Sequence, residues 1–365
     1  MDWGNNVNKK PKEEHALSQE LTLDEIKRHL QNHLCDGLVT VIGSGLSCAE
    51  GLPGMKDLEE HLIKNINLTP ENEDAKLWEQ IKLELKNGLE SALLAHPPSP
   101  SLEKLISKLT GSLIAQKENT VIQEVFNKRR TLKLTKLLKH LTKPKTGLPI
   151  ITTNYDRLIE IAVEEFGMAV DTLFTGRVFS NFNEKESKYT FCNGIRTTKT
   201  KTLLQYKERA LIYKPHGSLD WYLRGNAPFS YHGDLGDTPR LIITPGQNKY
   251  LNGYQTPFDI HRSKANQAID QASSFLIIGY GFNDSHLETH LRPSIEKGKP
   301  TLILTHSLSD KAMHLSKRYK NVTSLEHYKS ELTSGTKFTN QKTEQIIQQA
   351  ALWDIENFVK EVLEP

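Results

Sequence analysis

The sequence predicts an α/β protein: a Rossmann-like parallel sheet with helices on both faces, plus a helical insertion. Short apolar, β-branched runs alternate with segments of helical periodicity, the pattern of a parallel sheet covered on both sides. Several of those runs end abruptly in turns rich in Gly, Asn or His, where the backbone or a polar side chain can face a ligand. The 365 residues suffice for one large domain or two of ordinary size.

The first element is a helix. Thr22 and Glu25 form a capping-box pair, and Leu23, Ile26, Leu30 and Leu34 follow at steps of three and four. Asp36-Gly37 leads into an apolar strand, Leu38 to Ile42, which empties into Gly43-Ser44-Gly45. A second turn follows at Gly51-Leu52-Pro53-Gly54, and then a helix from Lys56 to Asn65. Residues 70–146 show no strand pattern and read as a helical insertion. One helix is marked by Leu102, Leu105, Ile106, Leu109 and Leu113, another by Val121 to Phe126, and a third by Leu134, Leu137, Leu138 and Leu141. His96-Pro97-Pro98-Ser99-Pro100 is a rigid break between helices.

The sheet resumes with a strand over 148–153 and a helix from Tyr155 to Phe166. Residues 176–209 read as a polar excursion with a hairpin. Further strands are expected at Ala210 to Lys214, Leu241 to Thr244, Phe275 to Ile278 and Thr301 to Leu304, with helices over Phe258 to Ala272 and Asp284 to Lys297. The chain is expected to close with a helix whose apolar face is Ile347, Ala351, Ile355, Phe358 and Val362. The expected organisation is one domain over 1–330, carrying the insertion, and a C-terminal helical segment over 331–365 that packs on the domain or on a partner.

Composition narrows the function classes. A net charge of +3 carries no global signature of polyanion binding. Locally, Lys128-Arg129-Arg130 through Lys145 is basic, which reads either as the solvated face of an amphipathic helix or as a contact for nucleic acid or an acidic partner. No run approaches the roughly 18 apolar residues of a spanning helix, so no membrane partner is expected. The N-terminal Met1-Asp2-Trp3-Gly4-Asn5-Asn6 lacks a basic region followed by an apolar core. Three cysteines, Cys35, Cys48 and Cys192, are far apart and odd in number, which points away from a disulfide framework and toward a cytoplasmic location. Three cysteines cannot build a four-cysteine zinc ribbon, and no metal is expected.

Four strand-end segments carry the candidate chemistry. Gly43-Ser44-Gly45 supplies two glycines of a dinucleotide fingerprint, but Cys48 stands at the third position, and no Gly-Lys-Ser/Thr follows to make a P-loop. Alone it reads as a nucleotide-binding turn or as a tight structural turn. Thr152-Thr153-Asn154-Tyr155-Asp156 places polar side chains at a strand end, where Thr153 or Asn154 could equally cap the next helix. Lys214-Pro215-His216-Gly217-Ser218 fixes the backbone on both sides of an imidazole suited to proton transfer. Gly279-Tyr280-Gly281-Phe282-Asn283-Asp284 offers a second close backbone approach.

These four segments, in this order, resemble the motif set of the sirtuin-like NAD-binding family. The resemblance covers roughly residues 22–310, outside the insertion. Gly43 to Ser47 looks like its first glycine motif, Gly51-Leu52-Pro53 like the turn behind it, and Thr152 to Asp156 like its Thr-x-Asn-x-Asp motif. His216-Gly217 matches its His-Gly pair, and Gly279 to Gly281 its later glycine loop. Gly54-Met55-Lys56 stands where protein deacylases of the family carry Asp-Phe-Arg, and their zinc module cannot form here. The pattern is closer to the bacterial antiphage-defence branch, which resembles NAD hydrolases; Met55 and Leu58 stand where that branch tends to carry Trp and Leu.

The resemblance implies that NAD is the substrate and is cleaved to nicotinamide and ADP-ribose through an oxocarbenium-like state. It implies that Asn154 orients water or ribose, that His216 is the base, and that Asp156 holds the ribose or organises the loop. Gly43, Ser44, Gly45 and Ser47 would cradle the pyrophosphate, with Pro53 and Thr152 in the binding site. Gly279 and Gly281 would admit the adenosine end, with Thr305-His306-Ser307 nearby. It also implies control by self-assembly into a homo-oligomer or by a separate defence partner such as a HerA-type ATPase. The competing readings are a non-catalytic NAD or ADP-ribose sensor and an NAD-dependent protein deacylase. A conventional dehydrogenase fits poorly, because the acidic residue expected about 20 positions after the glycines is ambiguous among Asp57, Glu59 and Glu60.

Overall fold

The structure, a computed structural model, describes residues 20–244 and 255–364. The N-terminal residues Met1 to Asn6 lie outside them. The strands in chain order are β1 (Leu38–Ile42), β2 (Leu148–Thr152), β3 (Ala169–Asp171), β4 (Phe174–Gly176), β5 (Ser180–Phe182), β6 (Cys192–Thr197), β7 (Thr202–Tyr206) and β8 (Arg209–Tyr213). They continue with β9 (Gly217–Arg224), β10 (Ala227–Ser230), β11 (Arg240–Ile242), β12 (Ser274–Ile278), β13 (Thr301–Thr305), β14 (Val322–Lys329), β15 (Ser334–Thr339) and β16 (Glu344–Gln348).

Among the described residues, nine strands form the main sheet in the order β16-β15-β14-β13-β12-β1-β2-β8-β3. The run from β14 to β3 is parallel throughout, and β15 and β16 add antiparallel at one edge. The fold is thus mixed α/β, with a parallel-dominated sheet flanked by helices. From β1 the chain first builds outward through β2 and later returns to add β12 on the other side. The border of β1 and β12 is therefore the point where strand order reverses, the usual place for a ligand crevice in an open α/β sheet.

β1 shows why the sheet must be covered twice. All five of its residues are buried. Leu38 and Ile42 join a core layer on one face, while Val39 and Val41 join the layer on the other. Successive strand residues point to opposite faces, so an uninterrupted apolar run serves two layers at once. A third apolar cluster lies within the helical segment, where Trp78, Ile81, Leu89, Leu93, Leu102 and Ile106 pack with Leu58 and Leu62 of the helix Met55–Asn65.

Several expectations are refined. The Thr22–Glu25 capping box is present. Residues 100–126 form one continuous helix, started by Pro100 in its first turn and by Ser99, whose Oγ accepts from Leu102 N at 3.2 Å. The helix expected from Tyr155 begins only at Leu158, because residues 153–157 are held by the site described below. The Leu241 to Thr244 run does not enter the main sheet. Its first part lies in β11, antiparallel to β9, in a second sheet ordered β11-β9-β10-β5-β4. The closing helix is also corrected: residues 334–348 form the β15–β16 hairpin with Ile347 on β16, and helix appears only from Ile355. Burial alternates over 344–348, with Glu344, Ile346 and Gln348 outward and Gln345 and Ile347 inward, as suits a half-buried edge strand.

The basic stretch meets its acidic partner within the chain. Only Lys133–Leu138 is helical there. Lys133 pairs with Asp354, Lys136 with Glu356, and Lys139 and His140 with Glu364. No described helix is long and apolar enough to cross a membrane.

Candidate active site

The carboxyl ends of β1, β2 and β12, with the turn between β8 and β9, surround a cavity of about 270 Å³. Gly43, Ser44, Ser47, Pro53, Asn154, Asp156, His216, Gly279 and Gly281 all line it. Thr152 and Gly45 do not. Thr152 is fully buried at the end of β2, where its Oγ1 accepts from Asn154 N at 3.1 Å. Gly45 lines a second cavity, of about 420 Å³, which shares Gly279 with the first and is also bounded by Thr305, His306 and Trp353.

A chain of side-chain hydrogen bonds ties the β2 turn to the β1 loop. Asn154 Nδ2 donates to Gly43 O at 2.9 Å and to Ser47 Oγ at 2.8 Å. Ser47 Oγ donates to Asp156 Oδ2 at 2.7 Å. Both amide protons of Asn154 are thereby engaged, which leaves its Oδ1 as the acceptor available to a bound group. The Ser47 hydroxyl, expected against a phosphate, instead lies buried between Asp156 and Asn154 and orders the loop. Asp156 supplies the cap expected of Thr153 or Asn154: its Oδ1 accepts from Leu158 N at 3.2 Å. Burial pushes the Asp156 carboxyl above its ordinary range, against the opposing pull of Lys214 and the Ser47 hydrogen bond.

Lys214 is wholly buried beneath this turn. Its Nζ donates to Asp156 O at 2.5 Å and to Glu160 Oε1 at 2.9 Å. A buried ammonium needs such partners, and here they fix the backbone of the turn. The helical insertion grips the same turn, because buried Glu118 accepts from Arg157 N and from its guanidinium.

His216 follows β8 and is held from across the sheet. Its Nε2 lies 2.5 Å from Asp284 Oδ2. Asp284 is itself fixed as the N-cap of the helix Ser285–Glu296, with Oδ1 accepting from Leu287 N at 2.8 Å. One carboxylate thus anchors a helix and orients an imidazole. Gly217, with φ +88°, keeps this turn close to β11, where an added Cβ would lie 2.0 Å from Leu241 O. The sequence presented Asp284 as the end of a glycine motif and the start of a helix; its pairing with His216 had no signal in the spacing.

The glycines do something other than expected. Gly43 N donates to Ile278 O at 2.9 Å and Gly45 N to Gly279 O at 3.0 Å. Those two amides, expected at a phosphate, are engaged within the protein in this structure. A Cβ on Gly43 would lie 2.4 Å from Gly279 O, and one on Gly279 would lie 2.7 Å from Gly45 Cα. The two glycine loops are each other's close approach, and they meet at the β1–β12 border. Ser44 of this loop is exposed and lines the cavity.

Comparison with known proteins finds similarity at the level of a family model and of solved structures. A family model described as SIR2-like domain matches residues 149–303, the stretch that contains Thr152 to Asp156, His216 and Gly279 to Asp284. No curated protein matches the chain. Among solved structures, one described as the structural basis of sirtuin substrate affinity is similar over 94% of this chain and 99% of its own, at 13% identity and a TM-score of 0.41. Sir2 with a p53 peptide and NAD⁺ is similar over 94% and 98%, at 13% identity and a TM-score of 0.37. A Sir2 variant with a deacetylated p53 peptide and 3′-O-acetyl ADP-ribose is similar over 92% and 97%, at 11% identity and a TM-score of 0.40.

Proposed function

We propose that the chain is an NAD glycohydrolase, which cleaves the nicotinamide–ribose bond of NAD to give nicotinamide and ADP-ribose. The observation that carries this reading is the convergence of Asn154 and the His216–Asp284 pair on one cavity at the point where strand order reverses. The reaction needs no general acid, because the leaving ring is already cationic and departs neutral. Its bonding pair goes to the ring nitrogen, water oxygen bonds the ribose carbon, and one proton must be removed. His216 takes that proton, and Asp284 stabilises the imidazolium that results. Asn154 Oδ1 accepts from the attacking water or a ribose hydroxyl. Asp156 and Ser47 hold Asn154 in place. Ser44 faces the pyrophosphate, and the adenosine end extends past Gly279 into the cavity bounded by Thr305, His306 and Trp353.

The motif resemblance extends the proposal to antiphage defence through depletion of NAD, held in check by self-assembly or by a partner such as a HerA-type ATPase. The test is incubation of purified protein with NAD at several protein concentrations, with nicotinamide and ADP-ribose quantified. Asn154→Ala and His216→Ala are each expected to lower turnover by about 10²-fold or more, on the ~10²–10⁴ scale of positioned proton transfer. Equal turnover in all three proteins would remove both residues from the mechanism. Turnover per protomer is expected to rise with protein concentration, and a flat dependence overturns control by self-assembly.

A further inference from the structure

β6 and β7 form a two-stranded ribbon that joins neither of the larger sheets. Its root is built into the domain. The guanidinium of buried Arg209 lies over the rings of Tyr206 and Phe191, 5.0 and 5.9 Å from their centres, and Arg209 Nη2 donates to Thr146 O at 3.0 Å. Beyond the root, both faces of the ribbon are open. Ile195 stands opposite Leu204 on one face and Arg196 opposite Leu203 on the other, and all four are exposed. The connection Thr198-Lys199-Thr200-Lys201 is exposed throughout. A two-stranded hairpin gains little stability on its own, so the three apolar side chains kept in water here serve no core.

The ribbon is also one-sided in charge. Residues 187–207 contain Lys188, Arg196, Lys199, Lys201 and Lys207 and no Asp or Glu. Among the described residues, Arg196, Lys199, Lys201 and Lys207 form no ion pair. The row Lys133, Lys136 and Lys139 is the opposite case, since each of its cations is paired within the chain. We propose that the ribbon is a docking element for duplex DNA and enters its major groove. Two strands about 4.8 Å apart suit a groove about 12 Å wide, which admits a two-stranded ribbon. Cations at the tip and along the strands then meet phosphates, and the apolar residues meet base edges such as the thymine methyl. A partner protein would cover one face and leave the other in water. A bilayer anchor would carry apolar residues at its tip, where this ribbon carries Thr and Lys. Residues 192–207 line neither cavity of the candidate active site, so DNA docking goes beyond the NAD reading and does not depend on it.

The test is fluorescence anisotropy of a labelled DNA duplex of mixed sequence against the full chain, without NAD, from about 50 to 200 mM salt. Two double variants remove the same charge from different places. One carries Lys199→Gln and Lys201→Gln at the ribbon tip, the other Lys136→Gln and Lys139→Gln in the paired row. The tip variant is expected to lose about tenfold or more in affinity at the low end of that range, and its slope of log Kd against log salt should fall by about two. The row variant is expected to bind as the parent does. The tip lysines are exposed and unpaired, so thermal melting should find that variant as stable as the parent. Equal weakening by the two variants, or none by the tip variant, overturns the proposal, as does a parent that binds no duplex. Single-stranded DNA, and duplex RNA with its narrow major groove, are expected to bind more weakly. Equal affinity for either one overturns docking in a groove. Preference for vesicles of phosphatidylcholine and phosphatidylserine, or for polyglutamate, overturns DNA in favour of a membrane or an acidic protein.

Discussion

At the residue scale, Asp284 has two duties that a substitution can separate. Asn is as good an N-cap as Asp, so Asp284→Asn should keep the helix Ser285–Glu296 anchored while removing the charge beside His216. On the proposed mechanism kcat falls by about 10²-fold, within the range of general-base catalysis, and KM for NAD changes little. A change confined to KM would instead make Asp284 a binding residue. The candidate site was legible in part. Asn154, Asp156 and His216 stood out because each follows a short apolar run at a strand end. Lys214 was not legible as a site residue, because it acts from beneath through backbone carbonyls. Spacing along a chain carries no trace of that.

At the element scale, the contact between the two glycine loops makes a contrast between glycines. Gly279 has φ +56° and no room for a Cβ, whereas Gly51 has φ +94° but nothing within 4 Å. Gly279→Ala meets both backbone strain and collision with Gly45 and should cost about 2 kcal/mol or more; Gly51→Ala meets strain alone and should cost about 1. Urea midpoints measure the difference, and equal losses would show that the loops part without cost. The fold was read well where strands are central. β1, β2, β8, β12 and β13 are buried on both faces, so their composition is unmistakable. The edge was not: β14 to β16 mix Ser, Thr, Lys and Glu with single apolar residues. The Gln and Ile of 345–348 then fitted a helix or a strand equally until pairing decided.

For the whole molecule, buried histidines set the response to acid. Burial, aided by the charge of Lys214, lowers His261 to about 3; burial with the neighbouring His29 lowers His33 to about 4. In the unfolded chain each titrates near 6.5, so between that value and the depressed one the unfolded state binds more protons. Stability therefore falls as pH drops below about 6.5, by up to ~1.4 kcal/mol per pH unit for each histidine. The raised carboxyls of Asp156, Glu160 and Asp171 act with the opposite sign. Hence the difference between wild type and His261→Gln isolates the effect. Denaturant unfolding at pH 7 and pH 5 should show a smaller loss in the variant, and parallel losses would mean that His261 protonates in place.

The pairing of Lys133, Lys136 and Lys139 with Asp354, Glu356 and Glu364 has a practical side. The acidic C-terminal turn works as a built-in mimic of a polyanion, seated where a nucleic-acid backbone would otherwise be attracted. A chain trimmed ahead of Asp354 would expose a bare cationic row on a surface the intact chain keeps neutralised. Nucleic acid retained by that row in such a trimmed protein would report the cut rather than the biology.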